Sequence, residues 1–377
     1  MNIAWIGNKP EFRINLLTRR PELFSSMEIT GHYKNIPGKT ITGKINEVSS
    51  DPAKVCPGSQ VFILSCPVNA QEYLLRKIKP YVPTGAFVGS VFGQGGFDLI
   101  AKNVFGEDIK KKNITIWSLF NIPSTTVLKE EGKSCVILGP KKYLAVCSYP
   151  SSKKSEAKQL VERLWGTPTI IIPNFLNIML TPGNQIIHSG RIKGFFEGKD
   201  ITKPLPEKPA FYVRMDQRSA DNMARLSSEI QLIKYKILSL YPNFDLKKVL
   251  PLDQRILEQY GDMVEDRSSL RTIFSSNKGY TLFTIPMKKV EGGFVLNTEA
   301  RIFTEDVPFG LCVLKDIAEK LNLEVPNITE AIVWHQQYMG KQFIVDGKLN
   351  PVLIPETGTP RRFGINTIEE LIEYYSK

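Results

Sequence analysis

With 377 residues, 42% of them apolar, and a formal net charge of +11, this chain is too long for one ordinary core and calls for two globular domains. It has no run of about eighteen apolar residues, so no membrane span is expected, and no basic-then-apolar N-terminal pattern, so no secretory signal. Five cysteines without a C-x-x-C pair and three dispersed histidines favour free thiols in a reducing, cytoplasmic compartment, with no metal site. The positive excess suits small anionic ligands. Its densest run, Lys110-Lys111-Lys112, reads as a solvated loop, and no basic stripe with interleaved aromatics points to nucleic acid.

In chain order, Met1–Ile6 reads as the last turns of a helix, with Gly7-Asn8 as its C-cap and Pro10 beyond. A strand opening a glycine-rich phosphate turn is the competing reading, but only Gly7 follows. The next strand, Phe12–Thr18, comes too soon for a parallel crossover. On this reading the chain begins inside the helix that such a turn introduces. Thr18-Arg19-Arg20 closes the Phe12–Thr18 strand where a dinucleotide-binding sheet selects the ribose. No acid stands there. Paired arginines suit the 2′-phosphate of NADP, and a solvent-facing basic turn before Pro21 is an equal alternative.

Val61–Cys66 is a buried strand, Gln71–Ile78 a helix, and Ala86–Gly89 a strand closed by Gly93-Gln94-Gly95-Gly96. Strands at Ile114–Trp117, Cys135–Leu138 and Tyr143–Val146, a helix at Ser151–Trp165 and a last strand at Thr169–Ile172 complete a first domain over residues 1–173. The alternation predicts an α/β domain with an open parallel sheet. Ligands in such sheets sit at the strands' carboxyl ends, where Ser65-Cys66-Pro67 and Gly89–Gly96 lie. A sheet without its first strand exposes an edge, so association or low stability is expected.

Residues 174–377 are dominated by helical periodicity at Phe175–Thr181, Ser219–Tyr241, Leu252–Tyr260, Ser268–Ser276, Leu311–Leu323, Ile328–Met339 and Thr367–Tyr375. This predicts a second, α-helical domain. His188 lies in a polar turn, Pro182–Arg191, and is a natural acid–base group. A lone loop histidine is more often structural, but Asp306 offers a carboxylate that could fix its tautomer. Asp306 sits in Glu299–Gly310, a stretch dense in carboxylates. It reads either as a well-capped start of the Leu311–Leu323 helix, with Thr304 as cap and Pro308 in the first turn, or as a catalytic segment with Arg301 clamping a carboxylate.

These pieces together resemble the octopine/opine dehydrogenase family: Arg301-Ile-Phe-Thr-Glu-Asp306-Val-Pro-Phe-Gly310, the His188 turn, Ala210-Phe-Tyr212, Ser65-Cys-Pro67, Gln94-Gly-Gly96-Phe97, Gly340–Gly347 and Arg362–Thr367. The resemblance runs from about residue 10 to the C-terminus. It implies a Rossmann-type domain followed by an all-helical domain, with the active site in the cleft between. It also implies NAD(P)H-dependent reductive condensation of a 2-oxo acid with the amino group of an amino acid. By position, His188 resembles the family's acid–base histidine and Asp306 its partner. Arg301 resembles a substrate-carboxylate ligand, and Gln94 lies in the loop that meets nicotinamide and keto acid. The cofactor contacts fall on Thr18, Arg19, Arg20, Cys66 and Pro67, with NADP expected and NAD possible. The small-molecule partners are the 2-oxo acid and the amino acid, for a monomer or homodimer.

Two departures stand out. The glycine fingerprint is absent, and no acid stands near Asn121, where the pattern of octopine-forming members has one, which argues against a guanidinium-bearing substrate. The absent fingerprint leaves a shortened, non-catalytic member as one alternative, and a two-domain hydroxy-acid dehydrogenase as another.

Overall fold

Three short apolar runs, Val61–Leu64, Phe87–Ser90 and Thr115–Leu119, form the parallel centre of the first of two units in the computed structural model, which describes residues 1–376. That unit takes in Met1–Cys66, Ala70–Phe92 and Ala101–Ile171. Its elements begin with α1 (Asn2–Ile6), β1 (Asn15–Leu17), β2 (Glu28–Tyr33), β3 (Thr40–Lys44), β4 (Glu47–Ser49) and α2 (Pro52–Val55). Then come β5 (Val61–Leu64), α3 (Val68–Ile78), β6 (Phe87–Ser90), α4 (Phe97–Phe105), α5 (Asp108–Lys111) and β7 (Thr115–Leu119). The last are β8 (Ser124–Glu130), β9 (Ser134–Pro140), β10 (Leu144–Tyr149), α6 (Lys154–Trp165) and β11 (Thr169–Ile171).

The main sheet has the order β11-β10-β7-β6-β5. β5, β6 and β7 run parallel, and their near-continuous apolar sequences fit strands covered on both faces. β10, however, runs antiparallel to β7, which corrects the all-parallel expectation. The physical reason lies between Leu119 and Leu144. A parallel return needs a crossover, usually helical, whereas this segment holds the β8–β9 hairpin. That hairpin joins β2 and β3 in a second sheet, β3-β2-β9-β8, so the Cys135–Leu138 strand belongs there and not in the main sheet. β1 and β4 form a separate parallel pair.

Met1–Ile6 is indeed helical, closing where the Gly7 N–H donates to the Ile3 carbonyl at 2.8 Å, with Gly7 in the ordinary right-handed region. Trp5 and Ile6 enter a core with Trp117, Leu119, Val146, Val161, Leu164 and Trp165. Fully burying a side chain such as Val161 contributes about 1.5–3 kcal/mol. Trp5 Nε1 donates to Tyr33 Oη at 2.7 Å, and Asn2 bridges Trp165 Nε1 and Ser65 Oγ. The Lys110–Lys112 run corrects another expectation, since Lys110 and Lys111 end α5. Cations belong in a last helical turn, where they meet the negative end of the dipole.

The second unit comprises Pro67–Asn69, Gly93–Ile100 and the chain from Ile172. Its helices are α7 (Phe175–Leu180), α8 (Asn184–Phe196), α9 (Gln217–Leu240), α10 (Leu252–Tyr260) and α11 (Leu270–Ser275). After a hairpin, β12 (Met287–Val290) and β13 (Gly293–Leu296), come a π-helix (Ile302–Leu311), α12 (Cys312–Lys320) and α13 (Pro326–Gln336). A small hairpin, β14 (Ile344–Val345) and β15 (Lys348–Leu349), precedes α14 (Ile368–Ser376). The Asp346-Gly347 pair is its two-residue turn. Both residues take positive φ, which this hairpin type requires. α8 and α9 approach closely because α8 presents glycine at the crossing. A Cβ on Gly194 would lie 2.5 Å from Ser219 Cα, and one on Gly190 2.8 Å from Met223 Cγ.

Candidate active site

The second unit brings His188 and Asp306 together. His188 stands in the second turn of α8, so the turn expected over Pro182–Arg191 is helical from Asn184. The Gly183 carbonyl accepts from both Ile186 N and Ile187 N, which starts the helix directly behind Pro182. Asp306 lies in the π-helix. Its Oδ2 is 2.8 Å from His188 Nδ1, and it is 6% exposed. A carboxylate only accepts, so Nδ1 carries the proton and the lone pair of the neutral ring lies on Nε2.

The π-helix also corrects the capping reading of this segment. The Cys312 N–H donates to the Val307 carbonyl, five residues back, and α12 continues from Leu311 with no side-chain cap. Thr304 and Pro308 therefore lie inside helical turns, not at a helix start. Pro308 cannot supply the N–H of an α-helical ladder, and the wider π turn accommodates its ring. The same winding buries both Glu305 and Asp306. Glu305 accepts from Val68 N at 3.0 Å and from Arg301 Nε at 2.6 Å. Arg301 itself is largely exposed, with its guanidinium plane set by that bond.

Gln94 is buried in the same unit. Its Nε2 donates to the Thr181 carbonyl at 2.7 Å, and its head lies against Gly183, where a Cβ would come within 2.5 Å of Oε1. Thr18, Arg19, Arg20 and Cys66 belong to the first unit, the first three following β1 and Cys66 following β5, with Pro67 next in the chain. Arg20 forms an exposed ion pair with Glu131 in the β8–β9 turn. Asn121 has a structural role: its Nδ2 donates to the Tyr143 carbonyl and its Oδ1 accepts from Ala145 N, stitching the end of β7 to β10. None of the five cysteines is joined in a disulfide.

Two residues of the site escaped the sequence reading as functional groups. Tyr212 Oη lies 3.3 Å from His188 Nε2. Burial, with Tyr260 and the Asp306 carboxylate, pushes its phenol pKa well above the ordinary value, so it stays protonated. Arg191, one turn beyond His188, is 1% exposed. It donates from Nε to the Phe211 carbonyl at 2.8 Å and from Nη2 to the Ala210 carbonyl at 2.9 Å. Its Nη1 reaches Ser219 Oγ and Asp216. Burial lowers the guanidinium pKa, and Asp216 opposes that. No local pattern marks a helical arginine as buried, and only the aromatic run Phe211-Tyr212 hinted at this segment. His335 is a different case. Burial lowers its pKa to about 4 despite its bond to the Ala331 carbonyl, so it is neutral at pH 7 and no proton donor. Among the described residues, His188 is the histidine paired with a carboxylate. The trio can therefore hold a proton at one nitrogen and fix the ring that carries it.

Comparison with known proteins places this geometry in context. Residues 171–339 match the family model described as NAD/NADP octopine/nopaline dehydrogenase, alpha-helical domain. An opine dehydrogenase of Haliotis discus hannai is 33% identical over 337 residues, covering 87% of this chain and 82% of that protein. A tauropine dehydrogenase of Arabella iricolor is 28% identical, covering 97% of this chain and 95% of the other. The structure of an octopine dehydrogenase with NADH and L-arginine superposes with a TM-score of 0.83 at 26% identity, over 98% of this chain and 94% of that one.

Proposed function

Because this chain belongs to the octopine/opine dehydrogenase family, we propose that His188 and Asp306 are the acid–base pair of its reaction. That reaction is the NAD(P)H-dependent reductive condensation of a 2-oxo acid with the amino group of an amino acid. The observation that carries the assignment is the 2.8 Å contact between His188 Nδ1 and Asp306 Oδ2.

The nicotinamide, when bound, supplies the hydride. Condensation of amine and ketone releases water and leaves a C=N bond. Hydride adds to its carbon, and one proton must reach its nitrogen. His188, as the imidazolium, gives that proton from Nε2. Asp306 holds Nδ1–H and stabilises the charged ring. In the oxidative direction the neutral ring takes the proton back.

Arg301 grips the carboxylate of the 2-oxo acid. Glu305 sets its guanidinium plane, and a planar fork binds a carboxylate in bidentate fashion. Arg301→Ala is expected to raise the keto-acid KM about 10- to 100-fold, the loss of a charge-assisted pair of hydrogen bonds. The KM for cofactor should stay within about twofold, being no part of that contact. Steady-state kinetics with each substrate varied checks this, and an unchanged keto-acid KM would refute the clamp. Gln94 positions the nicotinamide and keto acid near the same loop.

The residues after β1 and β5 would hold the dinucleotide: Thr18, Arg19 and Arg20 at the adenosine ribose, with Cys66 and Pro67 as further cofactor contacts. Arg19 and Arg20 favour the 2′-phosphate of NADPH, although Glu131 shares Arg20. Asn121, spent on backbone groups, favours an amino acid without a guanidinium. Free, mostly buried thiols suit a reducing cytoplasm.

A further inference from the structure

The nitrogen of His188 that Asp306 leaves for chemistry is not open on its outer side. Tyr212 Oη lies 3.3 Å from it. In the neutral ring with Nδ1 protonated, Nε2 has a lone pair and accepts, so the Tyr212 hydroxyl donates. When Nε2 is protonated the roles reverse, and the hydroxyl oxygen accepts without the heavy atoms moving. We infer that Tyr212 is a positioning residue for the acid–base step, holding His188 Nε2 in both protonation states of the ring.

The inference rests on the reading of His188 as the acid–base group, and the built surroundings of Tyr212 carry it further. Its ring stacks on Tyr280 at 4.4 Å between centroids and on Phe274 at 5.9 Å, with Phe283 edge-on at 5.6 Å. Its backbone neighbours are fixed twice. Phe211 N donates to the Phe283 carbonyl at 2.8 Å, and Arg191 grips the Ala210 and Phe211 carbonyls. Arg191 follows His188 on α8, so one helix sets both the imidazole and the segment that carries the hydroxyl. Phe211 stands edge-on to the imidazole at 5.2 Å, which limits ring rotation. A hydroxyl held by four aromatic rings and a buried arginine does not swing aside like a surface tyrosine.

The charged and titratable groups around the pair come from each element packed on α8. From α8 itself these are Arg191, paired with Asp216 at the start of α9, and Lys193, paired with Glu197 and with Glu330 of α13. From the π-helix they are Asp306 and Glu305, the latter paired with Arg301. α9 adds Glu229, which holds Asn327 and Ile328 of α13, and α13 adds His335. Tyr260 and Tyr280 adjoin Tyr212. Of these, Asp306 and Tyr212 bond the imidazole.

Tyr212→Phe keeps the stacked ring and removes the hydroxyl that bonds Nε2. kcat is expected to fall about 3- to 30-fold in both directions, with substrate KM values nearly unchanged and the thermal transition unmoved. A tyrosine with a structural role alone would lower the thermal transition or raise KM while leaving kcat, and that result overturns the inference.

Imidazole 15N spectra of the unsubstituted protein provide a second reading. Three histidines are present, and the His188 signals are those lost in His188→Gln. The neutral ring should show the proton on Nδ1 and a hydrogen-bonded lone pair on Nε2. A neutral ring protonated at Nε2 would overturn the inference even if Tyr212→Phe fails to fold. Full activity of His188→Gln would instead remove the acid–base reading beneath it. An inactive His188→Gln with kcat unchanged in Tyr212→Phe would remove only the role of Tyr212.

Discussion

His188→Gln is expected to lower kcat by about 10²- to 10⁴-fold, the usual worth of a positioned acid–base group. Glutamine occupies a similar volume and can still bond Asp306, but it cannot carry a proton to the substrate nitrogen near neutral pH. His188 is partly exposed, and its loss forfeits about one ordinary hydrogen bond, roughly 0.5–1.5 kcal/mol, so the fold should survive. Cofactor binding should be retained, since the hydride donor does not depend on this imidazole. Asp306→Asn tests the partner. The amide can accept from Nδ1–H but does not stabilise the imidazolium, so kcat should fall strongly with the tautomer preserved. Thermal unfolding, nucleotide titration and turnover on each variant check these outcomes. Turnover near the unsubstituted level in a folded His188→Gln would remove the assignment.

Arg191→Met is expected to have the largest effect on stability. Methionine fills much of the space but satisfies none of the partners. The Ala210 and Phe211 carbonyls, Ser219 Oγ and Asp216 all lose a donor. Burial works against the Asp216 charge, while Ser219 and Arg191 hold its carboxyl pKa below the usual range. Removing one partner of a buried pair costs roughly 3–5 kcal/mol, a large part of an ordinary domain's net stability. Asp216 is partly exposed and water can recover some of that cost, which sets the lower end of the range. Activity should fall with it, because Tyr212 loses its anchored backbone. Denaturant unfolding measures the first effect and turnover below the transition the second. A change under about 1 kcal/mol would mean that the arginine network is dispensable.

Most helices of the second unit were legible because each repeats apolar residues every three or four positions; α8 was not, and read as a turn, because its buried residues include the polar Gln185, Ser189, Arg191 and Lys193. Leu252–Tyr260 has the same bounds in sequence and structure, and the others shift by a few residues at their ends. β5 to β7 were legible as apolar runs. β2 and β3 were not, since Glu28–Tyr33 and Thr40–Lys44 carry polar residues and are only partly buried. The β8–β9 hairpin had a signal that went unused: Gly132 in the turn takes positive φ, as short hairpin turns require.

At the site, histidine and carboxylate could be named from residue type and resemblance, but not joined. They are 118 residues apart in sequence, and the contact depends on how α8 crosses the π-helix. The π-helix itself was hidden because Thr304 followed by Pro308 also spells an ordinary helix start. Tyr212 and Arg191 were hidden for another reason. Their roles consist of bonds to groups more than a dozen residues away, and neither residue type signals burial on its own.

On the proposed reading, this chain joins a 2-oxo acid to an amino acid at the expense of a reduced nicotinamide. The most direct measurement is the loss of 340 nm absorbance with NADPH and, separately, NADH. Each run contains purified protein and pairs of 2-oxo and amino acids, and the products are identified by mass. Oxidation is expected to depend on both acids together, to stop in His188→Gln and to yield the secondary amine. NADPH should be preferred if Arg19 and Arg20 bind its 2′-phosphate. Oxidation that proceeds with the 2-oxo acid alone, giving a hydroxy acid, would contradict the account.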